Sequence, residues 1–133
     1  MENGNYLYSK LTNIVIKKFY NVYNELGFGF LEKVYQNALY FELISLGLAV
    51  ETQKEIDVYY KDKVVGKYYA DMLVNDVLVL ELKAVEQIVE AHELQLINYL
   101  KATDVEIGLL LNFGKKPEVH RKIFTNDRKK RLI

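Results

Sequence analysis

Residues 77–84 read VLVLELKA, and this stretch limits the possible folds more than any other in the chain. Five of its first six residues are apolar. With no polar alternation, the strand it forms is buried on both faces, so it belongs to a sheet with helices on both sides. The run then ends in Glu81 and Lys83, two apart and therefore on one face of the strand. Charges at the end of a buried strand are costly unless neighbours stabilise them.

The surrounding periodicities supply the rest of the sheet. Leu11, Ile14, Val15, Val22 and Leu26 keep helical spacing, which predicts a helix over 7–26, broken by the GFG at 27–29. A second helix is expected over 30–46, with Leu31, Val34, Tyr35, Ala38 and Leu39 on one face and Gly47 as its stop. From Val50 the period becomes two, predicting a strand to Tyr60 with one wet face. A turn at 61–63, a strand over 64–74 and a turn at Asn75-Asp76 lead into the opening stretch as a third strand. A helix over 87–102, an apolar strand over 105–113 and an edge strand over 118–124 complete the order. The third and fourth strands are joined through a helix, which implies a parallel, right-handed crossover. The expected fold class is α/β, a mixed central sheet flanked by helices, in one domain spanning 1–133.

Composition narrows the chemistry. There is no cysteine, which removes disulfide, zinc-thiolate and thiol mechanisms and fits a reducing compartment. The N-terminus shows no secretory signal pattern, and no apolar run approaches the roughly 18 residues of a membrane span. The chain therefore reads as cytoplasmic. Its formal net charge is zero, but residues 115–131 hold eight basic side chains against Glu118 and Asp127, a balance of 8 − 2 = +6. A basic tail over about 115–133 on an acidic body is either a phosphate-binding arm or a solvated end. There is neither a P-loop nor a serine nucleophile elbow.

Acid-x-Lys occurs twice, at Glu81-Leu82-Lys83 and Asp127-Arg128-Lys129. Triplets this short arise by chance, and context separates the two. Asp127 lies among polar residues, whereas Glu81 and Lys83 end the buried strand. Asp71 interrupts the neighbouring apolar strand in YYADMLV and offers a second carboxylate. Two close carboxylates do not both ionise without a cation, and Mg²⁺ suits such oxygens. The alternative is that Lys83 forms a structural ion pair with Asp71 or Glu81.

Asp71 followed by Glu81-Leu82-Lys83 resembles the PD-(D/E)xK nuclease signature, with Ala70 where the proline would stand. GFLEKVY supplies Gly29, Glu32 and Tyr35, similar to the pattern of the GxxExxY protein family within that superfamily. QLINY supplies Gln95 and Tyr99, similar to the Gln-xxx-Tyr helix motif of RecB-type nucleases. The resemblance spans about Leu11 to Phe113 and implies a restriction-endonuclease-like αβββαβ core with an extra N-terminal helix. It further implies Mg²⁺ or Mn²⁺ held by Asp71, Glu81 and the Leu82 carbonyl, with Glu32 as a further acidic ligand or holder of a metal-bound water. Lys83 would act on the attacking water and the phosphate. Gln95 and Tyr99, four apart on one helix face, would complete the site, with His92 on the same side. His120 has no partner legible in the sequence.

The function expected is a magnesium-dependent hydrolase of DNA phosphodiester bonds, with no membrane partner and a homodimer possible. The rival is a non-catalytic nuclease-fold module that binds a protein or nucleic acid. A cleavage assay and the metal response separate these two, whereas geometry decides whether a metal site is possible or the strand ends in a structural ion pair. A two-residue hairpin at Asn75-Asp76 would pair Asp71 with Leu80 and leave it on the opposite face from Glu81. A shared site requires an odd loop of about three residues or a bulge, and this is the register expected, with Asp71, Glu81 and Lys83 on one side of the sheet, the two carboxylates within about 6 Å, and Glu32 and Gln95 approaching from the helices.

Overall fold

The computed structural model describes residues 8–129. Two helices come first, α1 (Ser9–Leu26) and α2 (Glu32–Ile44). Three antiparallel strands follow, β1 (Val50–Tyr60), β2 (Lys63–Val74) and β3 (Leu78–Lys83). Then come α3 (Glu90–Ala102), β4 (Ile107–Asn112), β5 (Glu118–Ile123) and a short 3₁₀ turn at Asn126–Arg128. The strands form one sheet in the order β1-β2-β3-β4-β5, with β3 parallel to β4 and the other pairs antiparallel. This is the mixed, helix-flanked sheet expected from the periodicities.

The all-apolar β3 is explained by its neighbours. Leu78, Leu80 and Leu82 join Met72, Val74, Leu109 and Leu111 beneath α1 and α2, around Phe19, Tyr35 and Phe113. On the other face Val79, Leu73 and Leu110 pack against Leu96, Tyr99 and Leu100 of α3. Gly108 makes that second contact possible. A Cβ there would lie 2.6 Å from the Leu96 side chain and 2.8 Å from the Val79 side chain, so any other residue would force these side chains to shift.

Two helices start later than their periodicity suggests. α2 begins at Glu32 because residues 27–31 form a loop pinned from within. The Tyr35 hydroxyl donates to the Gly27 carbonyl at 2.6 Å and accepts from the Phe30 N–H at 3.2 Å. Its ring stacks on Phe113 at 4.4 Å between centroids. Gly29 has φ 109°, a conformation that favours glycine. Gly29 and Tyr35 of the GFLEKVY motif are thus accounted for by the loop they shape. α3 begins at Glu90 because residues 84–89 form a loop held by the buried Asn112. The Asn112 amide accepts from the Val85 N–H at 3.0 Å, donates to the Val85 carbonyl at 3.0 Å and donates to Glu118 at 2.9 Å.

Much of the basic C-terminal segment is folded onto the body. Glu118–Ile123 is β5, paired along β4. The Lys122 ammonium lies 2.6 Å from Glu93, and the Lys129 ammonium donates to the carbonyls of Thr103 at 2.9 Å and Val105 at 2.7 Å. Lys130 and Arg131 lie outside the described residues. Among the described residues no helix is long and apolar enough to cross a membrane.

Candidate active site

Asn75 and Asp76 form the expected tight turn, both at positive φ (51° and 59°), closed by Val77 N–H to the Val74 carbonyl at 3.1 Å. The ladder does not resume at Val77. It pairs Val74 with Leu78, Leu73 with Val79 and Met72 with Leu80, so Val77 is an extra residue. That one-residue shift sets Asp71 level with Glu81, where the two-residue register would have set it against Leu80.

Beyond Met72 the paired ladder between β2 and β3 ends, and the Asp71 side chain occupies the gap. Its Oδ2 accepts the Leu82 backbone N–H at 2.7 Å, replacing the carbonyl that a continuing strand would supply. The Lys83 carbonyl bonds the Phe113 N–H on the β4 side. Successive carbonyls alternate along a strand, so the Leu82 carbonyl turns the other way, toward Asp71.

Glu81 is 5% exposed and hydrogen-bonded with Asp71, and its Oε1 accepts from the Tyr68 hydroxyl at 3.2 Å. Burial, then the Asp71 charge, then the bond between the two carboxyls push the Glu81 pKa up to about 8. Tyr68 and the Lys83 charge oppose the rise without cancelling it. Near neutral pH burial and the Asp71 charge therefore favour the protonated form of Glu81. A divalent cation would take the place of that proton with more charge. Two carboxylates and a backbone carbonyl fit a hard ion that keeps several waters. Among the described residues no cluster of three or more His, Cys, Asp or Glu is suited to a metal, so any ion held here would have this pair and the carbonyl as its protein ligands.

Lys83 and Gln95 come together, with the Lys83 ammonium donating to Gln95 Oε1 at 3.3 Å. The Gln95 backbone carbonyl also accepts from the Tyr68 hydroxyl, at 3.3 Å, which ties α3 to the side chain that holds Glu81. Tyr99 is buried, its ring 5.7 Å from that of Tyr68. Its hydroxyl is pushed up to about 12 by burial and then by the Glu81 charge. Tyr68 is likewise pushed above the usual tyrosine value, first by burial and then by Glu81. An open groove of about 680 Å³ adjoins these groups, with Tyr68, Gln95, Asn98, Tyr99 and Lys101 among its walls.

Other expected residues lie elsewhere. Glu32 is exposed in the first turn of α2, where an acid favours the helix dipole, and is not gathered with Asp71 and Glu81 into a metal cluster. His92 caps α3, its Nδ1 accepting the Val89 N–H at 3.1 Å. His120 has partners after all, lying 3.5 Å from Glu93 and 3.6 Å from Glu118. Three neighbours of the site, Tyr68, Gln53 and Gln36, carry no signal in the sequence. Tyr68 is one of eleven tyrosines and has no distinguishing spacing.

A helix, a three-strand meander, a crossover helix and a parallel strand, with two carboxyls and a lysine where β2 and β3 part, define a restriction-endonuclease-like nuclease fold. The family model of the PD-(D/E)XK nuclease superfamily matches residues 9–123. The chain belongs to that superfamily. Among solved structures, the crystal structure of SSO0001 is similar, with TM-score 0.58 at 20% identity over 73% of this chain. The match covers 52% of that protein, so the chain spans about half the length of the solved relative. No curated protein matches.

Proposed function

We propose that this chain is a divalent-metal-dependent nuclease of the GxxExxY type, acting on DNA phosphodiester bonds. The observation that carries the reading is the buried contact between Asp71 and Glu81, with Lys83 on the same strand face and held by Gln95. Asp71, Glu81 and the Leu82 carbonyl would hold Mg²⁺ or Mn²⁺. When bound, such an ion supplies polarisation of the phosphoryl oxygen and a lowered pKa for water. Glu81 would give up its proton to serve as a ligand. Lys83 orients the attacking water and places positive charge beside the phosphate oxygens as negative charge develops there. Gln95 fixes the Lys83 ammonium, and Tyr68 fixes the Glu81 carboxylate. Glu32 stays outside this set, exposed at the start of α2.

The test is a cleavage assay on single-stranded and duplex DNA and on RNA, with Mg²⁺ or Mn²⁺, for the wild type beside Asp71→Ala and Lys83→Ala. The expected result is metal-dependent cleavage of DNA that both substitutions abolish. No cleavage of any substrate, together with a melting temperature unmoved by millimolar metal, would instead make the chain a binding module on a nuclease fold.

A further inference from the structure

The β1–β2 ribbon changes sides at one pair of residues. Val50 lies with Met72 and Val74 in the layer beneath α1 and α2, whereas Ile56 lies with Tyr68 and Ala70 in the layer beneath α3. All six positions are even-numbered, and residues of like parity share a face in a regular strand. The ladder passes from Thr52↔Met72 to Lys54↔Ala70 without gaining or losing a residue. The pair at the changeover is Gln53 and Asp71. Gln53 has φ 51° in the middle of a strand, a left-handed conformation that a residue with a side chain adopts at a cost. Strain of this kind persists where the surroundings hold it, and the surroundings here are two polar contacts. Gln53 Nε2 donates to Asp71 Oδ1 at 3.4 Å and to Gln36 Oε1 at 3.1 Å.

Chemistry fixes the direction of this chain of contacts. A carboxylate only accepts, so Gln53 must turn its amide nitrogen toward Asp71, and the Gln36 atom facing that nitrogen must then be its oxygen. Gln36 is 6% exposed within α2, and a buried amide needs a partner. With the Leu82 N–H on Oδ2, the Gln53 contact on Oδ1 gives each Asp71 oxygen a donor before any cation arrives.

We infer that Gln53, oriented by Gln36, is a positioning residue that presets the Asp71 carboxylate for a divalent cation. The inference rests on the metal-site reading above. Partners behind a metal ligand typically change affinity about 10–100-fold when removed. α2 thus reaches the site through Gln36, one turn after Glu32.

The test uses Gln53→Gly, because glycine accepts positive φ without strain while deleting the amide. Melting temperature without metal and Mn²⁺ affinity by titration calorimetry are measured for the wild type, Gln53→Gly and Gln36→Leu. Gln53→Gly should melt at the same temperature as the wild type or higher, yet bind Mn²⁺ about 10–100-fold more weakly. Gln36→Leu should weaken Mn²⁺ binding in the same direction by a smaller factor. A residue that serves only folding gives the opposite pattern, with lower melting and unchanged Mn²⁺ affinity, and that result overturns the inference. If the wild type itself takes up no Mn²⁺, the metal-site reading falls and this inference with it. If the wild type binds and Gln53→Gly binds equally, only the inference falls.

Discussion

The chain carries acid-x-Lys twice, and the two copies have different structural fates. Glu81-Leu82-Lys83 ends a central strand, with Glu81 buried against Asp71 and Lys83 on the Gln95 amide. In the other copy, Asp127 and Arg128 are exposed in the surface 3₁₀ turn Asn126–Arg128, and Lys129 follows it. Arg128 lies over the Phe124 ring at 4.8 Å, and Lys129 ties the turn to the carbonyls of Thr103 and Val105. The lysine of one copy sits beside the buried carboxyl pair and meets the Gln95 side chain, and that of the other closes a loop. What separates them is the second carboxyl and the desolvation around it, neither of which the triplet contains.

The largest expected difference between the copies is catalytic. Lys83→Ala should lower the cleavage rate by about 10²-fold or more, the usual scale for losing a group that stabilises transition-state charge. Lys129→Ala should leave the rate within about twofold. Equal losses in the two variants, measured under one set of conditions, would break the comparison.

Next comes pH. The Glu81 pKa is raised to about 8 in the folded protein, above its ordinary carboxylate value. Below the ordinary value both folded and unfolded states are protonated, and stability is full. Between there and about pH 8 the unfolded chain has released its proton while the fold retains it, so stability falls as pH rises. Every tenfold difference in proton affinity between the two states is worth about 1.4 kcal/mol, which sets the ceiling on the loss. Denaturant titrations of metal-free protein across this window should show the decline, and Glu81→Gln should flatten it. No comparable slope should follow from Asp127→Asn.

Metal should act on the same copy with the opposite sign. Mg²⁺ at 100 times its dissociation constant should stabilise the protein by about 2.7 kcal/mol, seen as a higher melting temperature. Glu81→Gln should reduce that gain, and Asp127→Asn should not. Because binding displaces the Glu81 proton, the gain should grow from pH 6 to pH 8. A metal response that is the same in both variants would place the ion elsewhere.

The smallest effect belongs to the surface copy. Lys129→Ala removes two charge-assisted bonds from a partly exposed ammonium and should cost about 1 kcal/mol in chemical denaturation, with metal response intact. A larger loss would mean that the turn holds β4 against α3 more firmly than its exposure suggests.

Most of the fold was legible from the chain, because its signals are local. Helical spacing from Leu11 to Leu26, the change to period two at Val50 and the apolar run at 77–82 each report a face that must be buried. The late starts of α2 and α3 were not legible. Each depends on side-chain hydrogen bonds to loop backbone that spacing does not report, from Tyr35 to nearby Gly27 and Phe30 in one case and from the distant Asn112 to Val85 in the other. Within the site, Asp71, Glu81 and Lys83 were singled out because charge stood out against apolar surroundings, and Gln95 through its resemblance to the Gln-xxx-Tyr helix motif. Tyr68, Gln53 and Gln36 carried no such contrast. Glutamine in an alternating strand looks like any wet-face residue, and a backbone held at φ 51° leaves no trace in composition.

By itself, then, the sequence determined the order of elements, the double burial of β3 and the presence of two carboxyls and a lysine near one strand end. It did not determine whether those groups meet. The end of β2 and the start of β3 are apolar at every position from Met72 to Val74 and from Val77 to Leu80, so a slip of one residue would bury equally greasy side chains on either face. Only the tertiary structure chose the register. Helices pack both sides of the sheet, Leu78, Leu80 and Leu82 fit beneath α1 and α2, and Val79 fits against Leu96 beside Gly108. Val77 is left as the extra residue, and that one residue brings Asp71 level with Glu81.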